Sequence, residues 1–186
     1  MKGLLLGICI LVLLGIGGFL INQHSASPVP FVPNTSSSTL AYTSPIASIS
    51  FNYPSHYNLN ERKDGFEGQP ISVITLVDKD VVVPDMSDGP TLISIISVPN
   101  PTNLSLEEWV KTKSISNFNL SADQKLTPTT VAGEAAVAYT HSGLYESDAV
   151  AWAHGDKIYV ASVGWASATD PIRTDFQNVI KSVQLK

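Results

Sequence analysis

Four histidines (His24, His56, His141 and His154) and four aspartates close in sequence (Asp78, Asp80, Asp85 and Asp88) are the side chains of this 186-residue chain best suited to chemistry. Imidazole with carboxylate makes a transition-metal site, and carboxylate-rich loops bind calcium. No histidine has a ligand partner at helical spacing. His141 and His154 could meet across adjacent strands with Asp148 or Glu146 beside them, the minimum donor set for a metal. The aspartates lie in "DKDVVVPDMSDGP", whose spacing is not that of an EF-hand, so a solvated acidic loop is the simpler reading. His154 also belongs to "AWAHGDKIYV", where Gly155-Asp156 is a two-residue hairpin signal. Its polar residues are expected at a turn that faces water.

The sequence contains no G-x-S-x-G, H-E-x-x-H, Walker A or G-x-G-x-x-G motif. No catalytic, cofactor-binding or metal-ligating residue is therefore assigned, no cofactor is expected, and an enzyme is the least favoured class. The one cysteine, Cys9, rules out a disulfide within the chain. Beyond residue 21 the chain carries 10 basic and 16 acidic side chains, a net of −6. That balance argues against nucleic acid and against an anionic lipid surface as partners of the folded part.

The elements that must position these residues follow from hydropathy. Residues 3–21, "GLLLGICILVLLGIGGFLI", carry no charge. As a helix they would span roughly 28 Å, close to a bilayer core of about 30 Å. The length favours a retained signal-anchor transmembrane helix over a cleaved signal. Lys2 precedes it and the next basic residue is Arg62, so the rest of the chain is expected outside the cytoplasm. Residues 22–40 are rich in Ser, Pro, Asn and Thr and read as a flexible tether.

Residues 41–186 are expected to form one domain. "ASISFNYP" and "YNLNERK" read as strands, and "ISVITLVDK" and "TLISIISVP", apolar on both faces, as central strands covered on both sides. Ser105 with Glu108 opens a helix carrying Leu106, Trp109 and Val110, followed by a polar connection to about Thr130. Glu134 to His141 is a further strand, and the Gly155-Asp156 hairpin sets His154 opposite Lys157 and Trp152 opposite Tyr159. One sheet face then carries Val150, Trp152, Tyr159, Val163 and Trp165. The other carries Ala149, Ala151, Ala153, Ile158, Val160 and Ser162. Asp170-Pro171 caps a last helix whose apolar stripe is Ile172, Phe176, Val179, Ile180 and Val183. This stripe is expected on the alanine side of the sheet, where Ala151→Phe would unfold the domain.

The order of "YTSPIASISFNYPSHY", "LSLEEWV", "VAGEAAVAY" and "FQNVIKSVQL" resembles the PsbP-like family across nearly all of residues 41–186. The resemblance implies an α+β fold, an antiparallel β-sheet with helices packed on it as an α/β sandwich. In plants the family's namesake is an extrinsic subunit of photosystem II, and a nuclear-transport factor that binds the GTPase Ran shares the fold. Many bacterial relatives are exported. The family has no shared catalytic motif, so no site residue carries over. The membrane anchor and tether depart from the plant form. The sequence thus points to a membrane-tethered, extracytoplasmic, non-catalytic binding or assembly-accessory module with a protein partner. A small-ligand or metal-binding domain of the cell envelope is the alternative.

Overall fold

Three tight turns organise the sheet. Glu67-Gly68 and Ala132-Gly133 have positive φ at both positions (50° and 74°, 51° and 86°), the I′ pattern that matches strand twist. Gly155 takes φ 59°, which the first position of a II′ turn requires. A computed structural model describes residues 38–81 and 89–186, so Asp85, Asp88, His24, Cys9 and the expected transmembrane segment and most of the tether lie outside the described residues. Among the described residues no helix is long and apolar enough to cross a membrane.

Among the described residues, ten strands and two α-helices follow one another. β1 (Thr39–Thr43), β2 (Ile49–Pro54) and the short β10 (Gln184–Leu185) form a small antiparallel sheet in the order β1-β2-β10. The others are β3 (Tyr57–Phe66), β4 (Gln69–Asp78), β5 (Ile93–Pro99), β6 (Thr127–Val131), β7 (Glu134–Ser142), β8 (Glu146–His154) and β9 (Lys157–Trp165). They make a seven-stranded antiparallel sheet in the order β3-β4-β5-β9-β8-β7-β6. The helices are α1 (Leu106–Thr112) and α2 (Pro171–Lys181). The expected polar connection after α1 contains two 3-10 turns, Ser114–Ser116 and Phe118–Leu120, and then β6. β1 begins at Thr39, two residues before the expected domain start.

The large sheet has a buried core on each face. One core joins Ile74, Leu76, Ile95, Trp152 and Tyr159 to Phe51 of β2 and Phe176 of α2. The other joins Val73, Val98, Ala151 and Val160 to Trp109 of α1 and Phe118. β4 and β5 are accordingly covered on both sides, as their apolar runs predict. The β8–β9 register is also the expected one, with His154 opposite Lys157 and Trp152 opposite Tyr159. Those two rings stack at 5.2 Å and 6°, and the Tyr159 hydroxyl donates to the Ala47 carbonyl at 2.7 Å.

The helix placement corrects the sequence reading. α2 packs on the aromatic face, against β2 and β9, and α1 occupies the alanine face, against β7 and β8. The physical reason is volume. Close packing needs something large over the alanines at the centre of this face, and Trp109 and Phe118 are larger than anything in the stripe of α2 except Phe176. The stripe itself reads correctly: Ile172, Phe176, Val179 and Val183 are buried, and Ile180 packs at the margin of the same core.

Local capping fixes both helices. The Ser105 hydroxyl accepts from the Glu108 N–H at 3.3 Å, and the Asp170 carboxylate accepts from the Ile172 N–H at 3.2 Å. A carboxylate pins the small sheet to the large one. Glu61 on β3 accepts hydrogen bonds from Tyr42 at 2.7 Å, Ser44 at 2.5 Å and Ser72 at 2.7 Å. Burial, and then Glu61, push the Tyr42 hydroxyl up to about 12.

Candidate functional site

α2 and the small sheet cover the middle of the large sheet and leave its β6–β7 end open on that face. A groove with a volume of about 660 Å³ results, walled by α2 and floored by β6, β7 and β8. That size falls among ordinary ligand sites. The strand register explains its floor. Thr127 lies opposite Ala138, and Thr140 opposite Asp148, so alternate residues of three strands share one face. Thr127, Thr129 and Thr140 bring hydroxyls, and Val131, Ala138 and Val150 bring apolar surface. α2 contributes Arg173, Phe176, Gln177, Ile180 and Lys181.

One ion pair in the groove is already matched. The Arg173 Nε donates to the Asp148 Oδ2 at 2.6 Å and its Nη2 to the Oδ1 at 3.0 Å, a two-point clamp between α2 and β8. Its Nη1 donates to the Ala168 carbonyl at 2.9 Å, and the guanidinium lies 4.5 Å over the Trp165 ring. Arg173 therefore positions the helix, with three of its five N–H groups engaged inside the fold. Asp123 accepts from the Ser121 hydroxyl at 3.0 Å and from the Lys125 N–H at 3.1 Å. Those bonds hold its carboxyl below the usual carboxylate value.

The histidine pair does not assemble. His141 pairs with Ser147 at the start of β8, and His154 ends the same strand. Seven residues of extended chain separate those levels by roughly 23 Å. The sequence suggested adjacency because both histidines lie on neighbouring strands, but antiparallel register puts them at opposite ends. His154 Nδ1 instead lies 2.9 Å from the Glu134 Oε1. His56 Nε2 stands 3.4 Å from the Asp175 Oδ2 and 4.0 Å from the Asp78 Oδ2, and Tyr57 donates to Asp175 at 2.9 Å. Asp78 ends β4, and its Oδ1 accepts from the Asp80 N–H at 2.8 Å, an ordinary turn bond. Among the described residues no group of three or more His, Cys, Asp and Glu side chains could hold a metal ion.

His141 is buried, and its Nδ1 has no hydrogen-bond partner among the described residues. Burial lowers its pKa from the ordinary value of 6.5, against a smaller opposing pull from Glu146. The unfolded chain then binds the proton more readily than the folded one, so stability falls as pH drops below about 6.5. The fall in melting temperature between pH 8 and pH 5 is expected to be smaller in His141→Phe than in the parent. An identical fall in both proteins would assign the loss to other groups.

Sequence reasoning missed the groove. Its signal was the alternation of Lys125, Thr127 and Thr129 in "KLTPTTV", which reads as a loop until β6 is paired with β7.

No family model and no curated protein matches the chain. Among solved structures, the chain is similar to the solution structure of cyanobacterial PsbP (CyanoP) from Synechocystis sp. PCC 6803. The identity is 14%, the TM-score 0.53, and the match covers 82% of this chain and 95% of that one. A crystal structure from Bacteroides thetaiotaomicron VPI-5482 matches at 16% identity and TM-score 0.48, over 78% of this chain and 48% of that one. With antiparallel sheets, a helix on each face of the larger one and the likeness to CyanoP, the chain has a PsbP-like α+β fold.

Proposed function

We propose that the chain is a non-catalytic binding or assembly-accessory module, held at a membrane by residues 3–21 and displayed outside the cytoplasm on the tether of residues 22–40. The groove beside α2 carries this reading, because among the described residues it is an open concave surface between α2 and the β6–β7 end of the sheet. Its ionic groups support binding over chemistry. Arg173 is engaged on Asp148, Ala168 and Trp165, and Asp123 on its own loop. A general acid or base would need a perturbed group free to reach substrate. The fold neighbour is a PsbP protein, which agrees with an accessory role, though fold and function are separable.

A photo-crosslinking amino acid at Thr129, in the groove, tests the reading in the native membrane against the same group at Arg62, on β3 at the far edge of the sheet. One discrete adduct from Thr129 and none from Arg62 is expected. Equal labelling from both sites would reject the groove as the binding surface.

The volume of the groove also suits a small ligand of the cell envelope, the second reading. A thermal-shift screen with metals and envelope metabolites separates the two, since such a ligand raises the melting temperature at concentrations above its Kd.

A further inference from the structure

The groove is positive in a protein that is negative. Its lining includes three cations, Lys125, Arg173 and Lys181, against two anions, Asp123 and Asp148, whereas the chain has a formal net charge of −5. Arg173 and Asp148 cancel in their clamp. Lys125 and Lys181 are exposed, and neither ammonium donates a hydrogen bond or forms an ion pair among the described residues; Asp123 acts on Lys125 through space.

Strand register and helix rise set the levels of these two residues along the groove. Lys125 precedes Thr127 by two residues and so stands near the level of Thr140, whose cross-strand partner Asp148 is held by Arg173. Lys181 lies eight residues beyond Arg173 on α2, about 12 Å along the helix axis. That offset along the groove suits an extended ligand better than one compact anion. An extended polypeptide covers about 13 Å in four residues, and its side chains i and i+4 lie on the same face. Edge pairing does not compete with this mode. Val131 and Glu134 flank a two-residue turn, which turns the backbone of Pro128 outward, and Pro128 has no N–H to give an added strand.

Resting on the groove as binding surface, we propose that it takes an extended, acidic polypeptide segment of a partner protein, with carboxylates four residues apart on Lys125 and Lys181 and the intervening backbone over Thr127 and Thr129. Fluorescence anisotropy on the full chain in mild detergent tests this with Ser/Thr-rich peptides carrying glutamates at i and i+4, glutamates at i and i+1, or glutamines in their place. The i,i+4 peptide is expected to bind about tenfold tighter than the glutamine peptide, a difference of roughly 1.4 kcal/mol. It should also bind more tightly than the i,i+1 peptide. Lys125→Glu and Lys181→Glu should each remove most of that gain with the melting temperature unchanged. Added salt should weaken binding. Equal affinity for all three peptides, binding of none, or full competition by inorganic phosphate or by anionic vesicles would overturn the proposal. A Thr129 crosslink to a protein, together with no preference for the acidic peptide, would retain the groove as a docking surface and reject the acidic segment.

Discussion

Trp152→Ala should cost about 3–5 kcal/mol of folding stability, the largest effect expected of any single truncation here. Trp152 is fully buried, and its ring stacks on Tyr159 at 5.2 Å within the core shared by the sheet, α2 and β2. Truncation removes more apolar volume than the neighbours can refill and leaves Tyr159 without its stacking partner. A loss of that size is a large share of the about 5–15 kcal/mol that stabilises an ordinary native protein. Denaturant titration is the measurement: the midpoint should fall steeply with little change in slope. A shift worth less than about 1 kcal/mol, the size of an ordinary substitution, would mean that the Trp152 site is not packed as described.

Ala151→Phe should have the second largest effect, and it also distinguishes the two faces. Ala151 is fully buried in the core that contains Trp109, Val110, Ile158 and Val160. A phenyl ring there must displace α1, and overpacking of this kind costs about 1–3 kcal/mol, occasionally more. The damage should be local before it is global. Amide exchange in α1, at Trp109 and Val110, should accelerate before exchange in α2 does. Were α2 the element on the alanine face, its amides would loosen first, and that order would overturn the placement of both helices.

Much of the fold is legible in the sequence because its signals are local. Gly155-Asp156 fixes the β8–β9 register, since a two-residue turn leaves one pairing for every residue after it. Asp170-Pro171 and the stripe from Ile172 to Val183 mark α2 by capping and period. The apolar runs of β4 and β5 announce two covered faces. The Glu61 network is not legible, because Tyr42, Ser44 and Ser72 converge on it from β1, the turn after it and β4. His141 and His154 mislead for a related reason. Adjacency of strands is a sequence-order inference, but the level at which two residues meet depends on register at the Ser142–Glu146 end.

The sequence by itself determined β2 to β5, β7 to β9 and both helices, though not β1, β6 or β10, the apolar stripe of α2, and that the chain past residue 21 is acidic. It could do so because turn chemistry, capping and periodicity act over a few neighbouring residues. Only the tertiary structure decided which helix covers which face, where the histidines lie, and that β6, β7 and α2 leave a positive groove. Those outcomes depend on volumes and charges brought together from residues 123 to 181, and packing complementarity between distant segments leaves no periodic trace along the chain.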